Sequence, residues 1–197
     1  NSDRSVGNLA HEIHSDFQGR LGSGIDVQTS LQGGMLVYNR NRAANSKNIE
    51  LRPDLRFKIF WSGEEVITID QLKLFSDYNA KSFRLLCDIS NKLSSNWCEY
   101  DKEKLIHEMK AYVKYLEEFS VDFGLDLFGV NHKYLSEYTK NMNDAVYKPC
   151  GAGGDIGICI SSSESNLNSA VCYAKSIGMD VFDLHCDQSG YLIELEN

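Results

Sequence analysis

Apolar residues recur at helical spacing near the start of the chain. Val6, Leu9, Ile13 and Phe17 predict a helix over residues 4–18, ended by Gln18-Gly19. A glycine turn at 22–24 follows. Asp26 opens a short segment from Val27 to Leu31 with room for one or two helical turns. Gly33-Gly34 breaks it ahead of a strand over Met35-Leu36-Val37-Tyr38. Residues 40–50 are polar and basic, which predicts a surface loop. Leu55, Phe57, Ile59 and Trp61 alternate with Arg56, Lys58 and Phe60, the pattern of a strand with one face buried, ended by Ser62-Gly63. Thr68, with Gln71 three residues on, is a capping-box pattern that opens a helix through Tyr78.

Two long helices come next. Phe83, Leu86, Cys87, Ser90, Leu93 and Trp97 mark one face of the first. Leu105, Met109, Tyr112, Val113, Leu116 and Phe119 mark one face of the second, with Asp101 near its start. Lys102, Glu103, Lys110, Lys114, Glu117 and Glu118 read as a solvated face. A shorter helix covers 131–143. Ile156, Ile158 and Ile160 alternate with Gly157 and Cys159 in a strand. Leu167, Ala170, Val171, Ala174 and Ile177 form a helix stopped by Gly178. Val181 to Cys186, the turn Asp187-Gln188-Ser189-Gly190 and Tyr191 to Glu196 predict a hairpin. The expected class is one α+β domain over residues 1–197, an antiparallel sheet packed with helices.

The 42% share of hydrophobic residues and only two prolines make the chain globular rather than disordered. A net charge of -8 argues against nucleic acid or an anionic membrane as partner. Any phosphate site must then be built locally, from a few cations and backbone N–H groups. No two of the six cysteines have C-x-x-C spacing, so zinc is disfavoured and a reducing, cytoplasmic setting is expected. No apolar run approaches the ~20 residues that span a bilayer, and no signal peptide is expected. A first residue that is Asn rather than Met predicts a piece of something longer.

Two glycine-rich stretches carry the candidate chemistry. In Gly22-Ser23-Gly24-Ile25-Asp26-Val27, the aspartate follows a turn where a substrate can come close. Its carboxylate can accept the proton of an attacking hydroxyl or hold that hydroxyl in line for phosphoryl transfer. The plainer alternative is an N-cap aspartate on a short helix. In Lys148-Pro149-Cys150-Gly151-Ala152-Gly153-Gly154-Asp155, successive small residues expose N–H groups that can cradle phosphate, with Lys148 as a full charge at the edge. The plainer alternative is a tight connection into the next strand. Asp155 opposes phosphate unless a cation sits between them. Cys150 would be reactive if the loop favoured its thiolate. His11 and His14 form H-E-x-H, one residue short of the zinc-protease spacing, and read as polar residues of the first helix. His107, His132 and His185 have no partner pattern. Tyr112, Tyr115, Phe119, Tyr134 and Tyr138 sit at helical spacing and read as core.

These residues resemble the C-terminal half of the GHMP kinases, the family of galactokinase, homoserine kinase, mevalonate kinase and phosphomevalonate kinase. The resemblance covers nearly the whole chain. The helix ending in Gln18-Gly19, the Gly22–Val27 turn and Gly33-Gly34 look like the segment that bears the family's catalytic aspartate, which by position is Asp26. Lys148 to Gly157 looks like the family's third motif. Trp61-Ser62-Gly63 and Gly154-Asp155-Ile156-Gly157 are most like phosphomevalonate kinases. The chain departs in having one glycine fewer before Asp155 and in Gln28, where a small residue is usual. A P-x-x-x-G-L-G-S-S-A-type loop, which wraps ATP phosphates in the family's N-terminal half, has no counterpart here.

The resemblance implies a GHMP kinase C-terminal-like domain over 1–197 that acts with ATP and Mg2+. Asp26 would be catalytic. Ser23, Gly24, Lys148, Gly151, Ala152, Gly153, Gly154 and Asp155 would bind substrate and phosphate, facing Asp26 across one pocket. The implied partners are a small phosphorylated substrate and the N-terminal half of the same enzyme. 5-Phosphomevalonate in isoprenoid biosynthesis is the expected acceptor, with mevalonate, a sugar, or a non-catalytic metabolite-binding role as alternatives.

Overall fold

The computed structural model of the chain describes residues 2–20, 22–38, 46–65, 80–151 and 153–191, with side chains from residue 6 onward. The helix expected over 68–78, Ala152 and the second arm of the hairpin beyond Tyr191 lie outside the described residues. The chain divides into two compact units, Asn1–Leu51 with His185–Asn197, and Arg52–Leu184.

In the first unit, helix α1 (Ser2–Phe17) packs on helix α2 (Ile25–Gln32), and strands β1 (Met35–Val37) and β2 (Lys47–Ile49) pair antiparallel. β2 lies in the stretch expected to be all loop. The predicted apolar stripe of α1 does not face α2. Val6, Leu9, Ile13 and Phe17 are all exposed, Phe17 by 88%. The side of α1 that meets α2 carries His11 and His14.

In the second unit, strands β3 (Arg56–Trp61), β4 (Ala145–Pro149), β5 (Ile156–Ser161) and β6 (Asp180–Phe182) form an antiparallel sheet in the order β4-β5-β3-β6. Helices α3 (Lys81–Asn96), α4 (Lys102–Asp122), α5 (Gly129–Lys140) and α6 (Glu164–Ser176) pack around it. Two helix ends follow local chemistry. Asp101 accepts from the Lys104 N–H at 2.7 Å at the start of α4, and α6 gives way to Gly178 at φ 85°.

Alternation along β3 pointed to Phe57, Ile59 and Trp61 as the apolar face, yet the residue with no exposure at all is Phe60. β3 is an interior strand. On its Phe60 side, Tyr147, Cys159 and Leu135 meet Ala170 and Ala174 of α6, whose small side chains let the helix come close. Phe57, Ile59 and Trp61 are only half-buried on the other side. β5 follows the same rule. Its isoleucines are half-covered or exposed, while Gly157, Cys159 and Ser161 are buried. A second core joins Leu105, Met109, Val113 and Leu116 of α4 to Val146.

Two surface expectations change. Lys110 is half-buried and donates to the carbonyls of Lys140 and Met142 at the end of α5, and burial pushes its pKa down. Tyr134 is exposed, and Tyr138 stacks on Tyr173 with ring centroids 4.1 Å apart rather than entering the core.

Gly157 marks the tightest contact in this packing. A Cβ there would lie 2.0 Å from the Tyr147 hydroxyl and 2.9 Å from His132 Nδ1. Both side chains are buried and bonded to each other, so neither can yield cheaply. Gly157→Ala is therefore expected to cost about 1–3 kcal/mol of stability, read as a lower urea midpoint; an unchanged midpoint would contradict the packing described.

Candidate functional site

Asp26 occupies the first turn of α2, behind a helix start that only glycine makes comfortable. Gly24 is the N-cap at φ 75°, in the left-handed region, and no side chain caps the helix. The turn is braced from outside. The Tyr38 hydroxyl donates to the Ser23 carbonyl at 2.9 Å, and Ser23 Oγ accepts from the Ile25 N–H at 3.3 Å. Asp26 is therefore not the N-cap residue of the plainer reading. Its side chain is 58% exposed, and Oδ2 lies 3.1 Å from His14 Nε2. Gln28 has a use here that a small residue could not serve. It meets His11 Nε2 at 3.0 Å and donates to Ser46 Oγ at 3.3 Å.

The glycine loop, in the second unit, joins β4 to β5. The Cys150 N–H donates to the Ile156 carbonyl at 2.8 Å and closes the loop's neck. The Gly153 N–H donates to the Cys150 carbonyl and the Gly154 N–H to the Leu127 carbonyl, each at 2.9 Å. Two amides of the expected phosphate cradle thus already serve the protein's own carbonyls. Gly153 has φ 80°, and a Cβ there would stand 2.2 Å from the Leu127 oxygen, so no other residue fits. Gly151 is exposed on the outer side of the loop. Asp155 turns its carboxylate back onto the Ile156 N–H at 2.6 Å.

Residues that carried little sequence signal hold this loop. Buried Ser62, just after β3, donates from Oγ to the Gly154 carbonyl at 2.7 Å and from its N–H to the Asp155 carbonyl at 2.8 Å. Only its place in the Trp61-Ser62-Gly63 segment hinted at a role. His132 of α5 had no signal at all. It is fully buried, with Nδ1 against the Tyr147 hydroxyl, and Nε2 makes no hydrogen bond. Burial pushes the Tyr147 phenol far up, so it stays protonated where it meets His132 Nδ1. Burial likewise holds the His132 pKa down, more strongly than the nearby backbone of Asp155 and Gly154 raises it.

Lys148 sits at the end of β4 with Nζ 5.8 Å from the Tyr112 ring centroid and 4.0 Å from Cys150 Sγ. Among the described residues no carboxylate pairs with it. Burial pushes the Cys150 thiol up, and Lys148 offsets this only in part, so the loop does not favour a thiolate. No group of three His, Cys, Asp or Glu side chains among the described residues could hold a metal ion. No helix among them is long and apolar enough to cross a membrane.

The backbone matches solved structures. The Lin0012 protein from Listeria innocua superposes with a TM-score of 0.75 and 21% identity over 88% of this chain and 56% of its own. Phosphomevalonate kinase from Streptococcus pneumoniae, in complex with phosphomevalonate and AMPPNP, gives 0.67 and 17% over 84% of this chain and 56% of its own. Homoserine kinase from Cytophaga hutchinsonii gives 0.57 and 15% over 83% and 52%. The fold is shared with GHMP kinases. The chain spans about half the length of these structures. No family model and no curated protein matches its sequence.

The buried imidazole under the loop ties stability to acid. An unfolded His132 takes up a proton near its ordinary value of 6.5, whereas the buried ring resists it. The unfolded state then binds more protons, so this contribution is present above pH 6.5 and is lost as pH falls below it toward the depressed value. Urea unfolding at pH 7.5 and 5.5 should show this loss in the wild type and a smaller one in His132→Asn; equal losses in the two would refute it.

Proposed function

We propose that this chain is the C-terminal part of an ATP-dependent small-molecule kinase that phosphorylates 5-phosphomevalonate to the diphosphate in isoprenoid biosynthesis. The observation that carries the reading is the open carboxylate of Asp26, set after a Gly-Ser-Gly turn in a fold shared with kinases. The likeness to a phosphomevalonate kinase solved with phosphomevalonate and AMPPNP supports the acceptor and the nucleotide.

In the transfer, an acceptor phosphate oxygen bonds to the γ-phosphorus of ATP while the bond from that phosphorus to the β,γ-bridging oxygen breaks, and ADP leaves with the electron pair. A phosphate monoester is already largely ionised near neutral pH. Asp26 therefore has little proton to remove; its work is to accept from the one O–H that the monoanionic acceptor still carries and so hold that oxygen in line. Ser23 and Gly24 shape the approach. Lys148 and the loop at 151–155 take the acceptor's phosphate. Because the Gly153 and Gly154 amides are engaged, the charge of Lys148 carries more of that binding than a bare cradle would ask of it. Magnesium would enter with ATP. The described residues offer it no cluster of ligands, so no step is assigned to a protein-held metal.

The proposed partner is an N-terminal half that brings the ATP-phosphate loop, and the outward apolar stripe of α1 supports a covering surface of that kind. The proposed compartment is the cytoplasm, in keeping with six free cysteines. The engaged loop amides favour one second reading, a non-catalytic relative that binds a metabolite. That protein would show ligand-induced thermal shifts without ADP release.

In the full-length protein, coupled ADP release over a panel of phosphomevalonate, mevalonate and sugars should be fastest with phosphomevalonate. Asp26→Ala and Asp26→Asn should cut kcat by ~100-fold or more; near-normal turnover in either would refute the assignment. The present chain alone should bind Mg-ATP weakly by isothermal titration, and tight binding would contradict the need for a second half.

A further inference from the structure

The H-E-x-H spacing that fails as a zinc motif puts two imidazoles on the same side of α1, facing the first turns of α2. His11 touches Gln28, and its Nδ1 lies 3.0 Å from where a Cβ would stand on Gly24. His14 reaches Asp26, with Nε2 3.1 Å from Oδ2. That nitrogen is shielded from solvent and makes no hydrogen bond, so its tie to Asp26 is one of close approach and charge. The ring itself is only 21% exposed, so it is a fixed body beside an open carboxylate.

We infer that His14 is a positioning residue for Asp26, an inference that rests on the reading of Asp26 as the catalytic carboxylate. An aspartate on the rim of a helix swings among side-chain rotamers. The His14 ring faces one carboxylate oxygen, holds the group in one rotamer and leaves the other oxygen free to accept from the acceptor's remaining O–H. Phosphoryl transfer depends on such alignment. Ion pairs with a solvent-exposed member add little to stability. The signature of His14 therefore lies in the rate and not in the melting temperature.

The test uses the full-length protein, with ADP release assayed for wild type, His14→Ala, His14→Gln, Asp26→Asn and the double variant His14→Ala/Asp26→Asn. His14→Ala should lower kcat by ~10–100-fold with KM for ATP and acceptor within about twofold of wild type. His14→Gln, which keeps a donor of similar reach, should recover most of the rate. In the Asp26→Asn background, His14→Ala should cost nothing further. Imidazole NMR supplies a readout independent of turnover: the His14 ring signals should move in Asp26→Asn while those of exposed His107 stay. An unchanged kcat in His14→Ala, an equal loss in the Asp26→Asn background, or a failure of His14→Gln to recover activity while folded would overturn the role of His14 and leave that of Asp26 standing. If His14→Ala fails to fold, His14→Gln and the NMR comparison decide, and still signals there would overturn the pairing. Absence of ADP release with every acceptor in wild type would overturn the kinase reading, and the positioning role with it.

Discussion

The place a side chain would take at residue 157 is filled by the Tyr147 hydroxyl and the His132 ring. This one exclusion sets much of the second unit. It fixes how closely β4 and β5 can lie beside the first turns of α5, and it brings a buried imidazole beneath the glycine loop. The loop is then locked from three directions, by Ser62 from β3, by the Leu127 carbonyl before α5, and by its own Cys150–Ile156 neck. Buried polar groups are tolerable only when matched. Here a phenol and a neutral imidazole match each other at Nδ1, and Nε2 is left over.

The first unit is organised on a different principle. α1 meets α2 through histidines rather than through its apolar stripe, so the contact is specific in geometry and poor in buried hydrocarbon. Such a contact orients side chains well and contributes little to stability. That suits a turn proposed to aim Asp26, and it gives Gln28 a contact that a small residue could not make.

Much of this was legible in the chain. Helix ends written in local chemistry, such as Asp101 before α4 and Gly178 after α6, were readable because a cap acts on amides within a turn of itself. The start of α2 was misplaced by the same logic, since Gly24 in the left-handed region, and not Asp26, is the N-cap. The buried faces of β3 and β5 were not. Alternation counts apolar residues, while burial depends on which helix lies on which side, and α6 brings alanines to the Phe60 side. The supports of the glycine loop were also hidden, since Ser62 reaches Gly154 from 92 residues away and His132 packs against Tyr147 from a separate helix. The exposure of Val6, Leu9, Ile13 and Phe17 could not be read either, because periodicity announces an apolar stripe without naming what covers it.

That stripe sets two forces against each other. Val6 to Phe17 makes a greasy ridge ~16 Å long on a molecule with a net charge of -8. Mutual repulsion between like-charged copies keeps their ridges apart at low ionic strength, and dissolved salt shortens its reach to ~10 Å at 0.1 M. The colloidal behaviour of this chain in solution is thus governed by the ionic atmosphere around it as much as by its fold.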